Sequence, residues 1–535
     1  MRTRKTLVMC VPLLLLLGTT LVACTPTARR TFYVSPTGSD SAAGTSTTNP
    51  WRTIAKVNSV DLNAGDRVRF QGGATFPGLL YLEPGDGGTS SSPVVIDSYD
   101  GRATLDGGAG NAVYAWRAAG ISLTNLRLVG SGAGTNAGDG LAFYNDLPGD
   151  VLLPYVRITD VESSGFGKWG IVVGGGLGRS GYSDVRIDRT STHDNGMGGV
   201  LSFAAAAAVH RGVSISNSTA YRNLGRSDAT RNSGNGLVLG SVNGGVIERS
   251  TAQGNGGANN PSIGQGPVGI WAYDANDVRI QLNESYGNRT GATVDGGGFD
   301  LDQNVTNSIV QYNYSHDNDG PGYMLAHGSA AASHSDNVIR YNISQNDRRK
   351  NSGGAIEVWG GVRRADVYHN TVYVGAPTGG AIAAVKLVDA PLAVGPSALH
   401  FRNNILYATA TIPLLGTANS QLGATADIRF EGNDWYQEGA DGTFLWGGVR
   451  YGSLAAWRTA TGQETVGSTA VGTAVNPGMV SPGGGVAGAR LSSGSPVVDA
   501  GLDLSAFGIS SGGRDVFGGG APLGPRPDIG AHELR

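Results

Sequence analysis

Cysteine is nearly missing from this 535-residue chain: only Cys10 and Cys24 occur, both close to the start. No internal disulfide framework can therefore hold the fold together. Charge is scarce as well, with Asp, Glu, Lys and Arg at 15% and a formal net charge of −3. That balance gives no electrostatic reason to expect nucleic acid. There is no G-X-Y period and no polar low-complexity tract, which excludes collagen and disorder. No P-loop, dinucleotide fingerprint, nucleophile elbow or zinc spacing competes for the chemistry.

Glycine is what the chain has in excess: 87 residues, well over twice the usual share. Short apolar runs are punctuated by Gly, Asn, Asp and Ser, the pattern of many turns between short strands, so the chain reads as all-β. Residues 1–23 stand apart. Arg2, Arg4 and Lys5 precede an apolar stretch, "LVMCVPLLLLLGTTLVA", as in a secretory leader. Leu21-Val22-Ala23-Cys24 resembles a bacterial lipobox. That resemblance implies a lipoprotein signal peptide over 1–23, lipidation at Cys24 and a tether over 24–31. The expectation is a protein held outside the cytoplasmic membrane by a lipid, or secreted, and not spanning the bilayer. Loss of the three leader cations takes the formal charge from −3 to −6.

One pattern recurs: a glycine-led strand, a turn, then a second strand ending in polar residues. The second strands read "VRITD" (156–160), "VRIDR" (185–189), "VSISN" (213–217), "VIERS" (246–250), "RIQLN" (279–283), "IVQYN" (309–313), "VIRYN" (338–342), "DVYHN" (366–370), "LHFRN" (399–403) and "RFEGN" (429–433). Their spacing of roughly 28–33 residues signals a solenoid. A repeat this short cannot bury its own apolar face, so coils must stack at about 4.8 Å with Val, Ile and Leu inward. The recurring Asn217, Asn283, Asn313, Asn342, Asn370 and Asn403 fit turn positions that accept a left-handed backbone and bond the next coil.

These features resemble the right-handed parallel β-helix, or pectate-lyase-like, superfamily. "FYVSPTGSD…PWRTIAKVN…LNAGDRVRFQGG" (32–73) is similar to its N-terminal region, with a capping helix near 52–59. "SPVVDAG…PRPDIGAHE" (495–533) is similar to its C-terminal segment. The resemblance implies a single β-helix of about ten or more coils over 32–433, with an N-terminal cap. Residues 434–535 would continue or cap it. It also implies a carbohydrate-active protein, since members are mostly polysaccharide lyases, glycoside hydrolases and uronan epimerases. A minority are adhesins and phage receptor-binding proteins.

Aligning the first strands from "GLAFY" (140–144) to "AIAAV" (381–385) gives two outward columns. One reads Ala142, Val172, Leu201, Val238, Trp271, Asp300, Met324, Glu357, Ala383. The other reads Tyr144, Gly174, Phe203, Gly240, Tyr273, Asp302, Ala326, Trp359, Val385. Every acid in them falls within three consecutive coils, bracketed by Trp271, Tyr273 and Trp359. Stacking puts Asp300 and Glu357 about 9–10 Å apart, a separation suited to an inverting glycosidase. Aromatic faces offer platforms for pyranose rings.

The leading expectation is therefore a hydrolase acting on an extracellular polysaccharide, needing no cofactor. Asp300 or Asp302 would serve as base or nucleophile and Glu357 as general acid. His316 is a further catalytic candidate. Arg348, Arg349, Lys350 and His327 join the aromatics as substrate-binding candidates, while Lys168-Trp169 and Lys386 lie on other coils and rank lower. The alternative is a lyase or epimerase in which Asp295, Asp300 and Asp302 hold Ca²⁺. Gly298-Phe299-Asp300 is similar to part of the alginate-epimerase motif Tyr-Gly-Phe-Asp-Pro-His-Asp, but Gly297 stands at its Tyr and Asp302 at its His. A third reading is a non-catalytic glycan-binding surface protein. A monomer is expected throughout, and residues 434–490 carry no chemical signal.

Overall fold

The computed structural model describes residues 29–328, 333–375, 382–388, 395–409, 411–417, 422 and 427–535. The leader, Cys24 and the first part of the tether lie outside these residues. Arg30 is already anchored, its N–H donating to Asp66 Oδ1 at 2.9 Å.

The chain winds as an all-β right-handed parallel solenoid. One wall is a 14-stranded sheet, and the remaining coil strands form a 25-stranded sheet. Inward positions stack in register. One column runs Val68, Ile96, Leu123, Ile158, Ile187, Ile215, Ile247, Ile280, Val310, Ile339, Val367, Phe401, Phe430, none more than 1% exposed. Each such side chain contributes about 1.5–3 kcal/mol by leaving water.

Two polar ladders run along the turns. In one, the backbone N–H of Ser250, Asn283, Asn313, Asn342, Asn370 and Asn404 each donates to the side-chain oxygen of the next coil's asparagine, ending at Asn433. Asn433 in turn donates to Glu464 Oε1 at 2.8 Å. The other links Asn195, Asn223, Asn255, Asn288 and Asn318 and ends on Asp347 Oδ1 at 2.8 Å. Buried amides are satisfied coil by coil.

The ladders correct the sequence reading. Ser218, not Asn217, and Asn404, not Asn403, occupy the first ladder. Asn217 and Asn403 are the left-handed residues just before it (φ +49° and +52°), a place held by Leu282, Tyr312, Tyr341 and His369 in other coils. Alignment on the wrong asparagine also set "VSISN" and "LHFRN" one residue out of register with "VIERS" and "DVYHN", since Val213 pairs with Gly245 and Ala365 with Leu399.

The ends are closed differently. A helix at Ile54–Val57, capped by Thr53, lays Ile54 and Val57 over the first coil. At the far end a helix at Leu454–Thr461 inserts Trp457, fully buried and stacked on Phe444 at 4.7 Å. The chain then folds back along the outside. Asn403 Oδ1 accepts the N–H of Leu502, and Thr371 Oγ1 accepts that of Ala531. Among the described residues no helix is long and apolar enough to cross a membrane.

Candidate active site

Nine strands of the 14-stranded sheet build one outer face: β1 (Leu141–Asn145), β2 (Trp169–Gly175), β3 (Gly198–Ala204), β4 (Asn235–Gly240), β5 (Val268–Tyr273), β6 (Gly297–Leu301), β7 (Tyr323–His327), β8 (Gly353–Gly360) and β9 (Ile382–Val388). Their register places Trp271 beside Asp300, Asp300 beside Met324 and Met324 beside Glu357. The next residue is Lys386; Ala383 pairs with Gly354 instead. The expected alignment of β9 was three residues off. Its Ile-Ala-Ala-Val run has too little apolar contrast to fix a register from sequence, and the slip hid a cation beside Glu357.

Asp300 projects outward from β6 yet is only 4% exposed, and its Oδ1 has no hydrogen-bond partner. Burial, reinforced by Asp302, Asp295 and Glu357, raises its pKa well above the usual carboxylate range, which favours the protonated form. Asp302, half-buried at the end of β6, accepts the N–H of Gln303 at 2.7 Å. Burial lifts its pKa to about 6. Asp295 sits in the turn before β6 with φ +54° and accepts the N–H of Gly266 at 2.8 Å. Burial carries it to about 7, with Asp302 and Glu357 pushing the same way and Arg348 opposing. These acids feel one another's charge, as members of one cluster must.

Glu357 is held differently. Its Oε2 lies 3.0 Å from Arg348 Nη2 and accepts the N–H of Gly354 at 3.0 Å, and both side chains are buried. Gly353 makes the pair feasible, because a Cβ there would stand 2.1 Å from the guanidinium and 2.2 Å from the carboxylate. Lys386, one coil on, has its pKa lowered by burial against the pull of Glu357.

The other candidates divide. Of the basic trio only Arg348 faces the acids: Arg349 pairs with Asp317 at 2.8 Å and the Lys350 ammonium donates to the Thr290 carbonyl. His316 belongs to the other sheet, stacked between Tyr286 and Tyr314 at 4.7 and 4.4 Å and bonded to Asp317. It is not brought to the carboxylates. His327, at the inward end of β7, is buried and stacks on His334 at 5.8 Å. Trp359 does face outward, its indole over Gly328, where a Cβ would meet the ring at 2.5 Å. Among the described residues no three His, Cys, Asp or Glu side chains are grouped so as to share a metal ion.

Trp271 and Tyr273, ring centroids 5.2 Å apart, also wall a cavity of about 890 Å³ that opens along β2–β5. Lys168 and Trp169, ranked low from sequence, line it too, as do Leu201 and Arg231. The missed signal was the outward column itself: four apolar residues precede Trp271, on a face that ordinarily carries polar side chains when it meets water.

The protein-family model for a right handed beta helix region matches residues 111–372. Over 114 residues the chain is 33% identical to a lacto-N-biosidase of Bifidobacterium longum subsp. longum, a stretch covering 21% of this chain and 7% of that protein. Among solved structures, a GH136 lacto-N-biosidase from Eubacterium ramulus superposes with a TM-score of 0.50 at 16% identity, over 75% of this chain and 66% of that one. The A-module of a mannuronan C-5 epimerase from Azotobacter vinelandii gives 0.47 at 14% identity, over 72% and 90%. The matches therefore span under two thirds of the biosidases' own lengths.

Proposed function

We propose that this right-handed parallel β-helix protein is a carbohydrate-active enzyme that hydrolyses glycosidic bonds with a carboxyl pair, Asp295 and Asp302. The observation that carries this reading is a set of neighbouring half-buried carboxyls, each raised by burial, beside an aromatic-walled cavity. Asp302, at about 6, is mostly ionised at neutral pH and serves as base or nucleophile,. Asp295, at about 7, is half protonated there and serves as the acid to the leaving oxygen,. Both are half-buried, so substrate can reach them. Asp300, pushed towards its protonated form by burial and with Oδ1 unpartnered, is placed to donate to the substrate. The sequence reading made Glu357 the acid; its carboxylate is instead tied to Arg348 and the Gly354 N–H, which suits a fixed partner of the guanidinium.

The 33% identity with a lacto-N-biosidase supports hydrolysis over elimination. The lyase reading loses support because Arg349 and Lys350 are engaged elsewhere. In this reading the enzyme is a monomer held outside the cytoplasmic membrane through Cys24 and meets an extracellular polysaccharide there.

Single Asp295→Asn and Asp302→Asn variants test the assignment on a panel of neutral and uronic polysaccharides, by reducing ends and absorbance near 235 nm. Each should lower kcat/KM by about 10²–10⁴. An aryl glycoside with a good leaving group should rescue Asp295→Asn far more than Asp302→Asn. Undiminished turnover in both variants, or growth of the unsaturated-uronide absorbance, overturns it.

A further inference from the structure

The cavity beside the acids is apolar where a sugar site needs hydrogen-bonding groups. Its floor is the outward column of β2–β5. Val172, Leu201 and Trp271 of that column line it, while Val238, 0% exposed, lies packed with Trp169, Trp271, Leu201 and Tyr273 in a small hydrophobic cluster on the outside of the solenoid. From Val172 to Trp271 this floor runs about 14 Å, three inter-strand spacings.

The polar groups of the wall are largely committed to one another. Arg226 is bonded to Asp228 through two nitrogens and to the Ala133 carbonyl. Asn235 Oδ1 accepts from Val268 N and Trp271 Nε1, and its Nδ2 donates to Asn232. Asp139 accepts the N–H of Trp169, and Gln265 Oε1 that of Asn232. What remains unspent inside is apolar surface, with Lys168 and Arg231 exposed among its lining residues.

We infer that this cavity binds an alkyl or acyl chain carried by the glycan, so that the substrate is a glycoconjugate with an apolar chain close to the scissile bond. This rests on the hydrolase reading, because Trp271 both walls the cavity and stands in register with Asp300. The volume belongs to the 300–1,000 Å³ class of small-ligand sites, and a protein partner would instead need a broad face of about 800 Å². A chain seated on Leu201 and Trp169 leaves its sugar end at β6, beside Asp302.

The test is calorimetric titration of the protein with methyl, hexyl and octyl glycosides of one sugar, each below its micelle concentration. Affinity should rise about threefold to fourfold per added methylene until the floor is covered. Leu201→Asn and Trp169→Ala should each flatten that rise, with circular dichroism confirming the fold. Equal affinity for methyl and octyl glycosides overturns the inference, as does a chain-length dependence that survives both substitutions. Binding is read without turnover and on glycosides of one sugar, so the slope of affinity with chain length does not depend on whether any of them is hydrolysed. That separates failure here from failure of the hydrolase reading.

Discussion

Along one face of one sheet, a single column of side chains changes character between two neighbouring coils. From β1 to β5 it is Ala142, Val172, Leu201, Val238 and Trp271; from β6 to β9 it is Asp300, Met324, Glu357 and Lys386. The inward neighbours do not change with it, since Leu239, Ala272, Leu301, Leu325 and Val358 are all fully buried. The solenoid is thus carried by inward residues, and the outward ones are free to differ. Those outward positions that are buried make their own arrangements, by a hydrophobic cluster in one half and by a raised carboxyl pKa or an ion pair in the other.

The contrast is tested most severely at Arg348. Truncation to Ala should leave Glu357 buried without its partner and cost about 3–5 kcal/mol, read by urea denaturation. Adding Glu357→Gln should recover part of that loss, and a lone Arg348→Ala as stable as the parent breaks the argument. Inward and outward residues of β6 should then separate. Leu301→Ala should cost about 2–5 kcal/mol. Asp300→Asn, a near-isostere of the protonated acid, should leave the denaturation midpoint at pH 7 unchanged or higher; a large loss there means that Asp300 is charged.

A third prediction concerns pH. Burial raises Glu464 to about 7 and Asp347 to about 6, above the ordinary values their unfolded forms adopt. The unfolded chain therefore gives up these protons first. Stability is fully present below the unfolded values and is lost as pH rises through about 6 to 7. Thermal midpoints should fall from pH 5.5 to 8.5, and Glu464→Gln should flatten the upper part of the fall. An unchanged slope removes Glu464 as its source. Smallest in effect is Gly353→Ala, where the added Cβ forces the Arg348–Glu357 pair apart, at about 1–3 kcal/mol.

The solenoid was legible because each coil repeats the same inward demand, so ten segments vote on one answer. The outward column survived from Ala142 to Glu357 for the same reason. It failed at β9, where alanines on both faces erase the alternation, and at Asn217 and Asn403, where two adjacent turn positions both tolerate asparagine. The second ladder is hidden in the sequence because its members at 195, 223, 255, 288 and 318 follow a third strand of only three residues, too short to show an alternation. Roles within the acid cluster were beyond a linear reading. Glu357 and Arg348 are nine residues apart, and only the space left by Gly353 reveals that they meet.

Both ladders have a direction, and both stop on a carboxyl. Every amide between hands a hydrogen to the following turn, while Asp347 and Glu464 chiefly receive. A full turn can be spliced in before such a terminus with every donor still met, whereas one added beyond Glu464 would find no amide to extend. Lengthening of this rod by duplication is thereby steered to its interior, and the terminal acids act as stops that set where growth must cease.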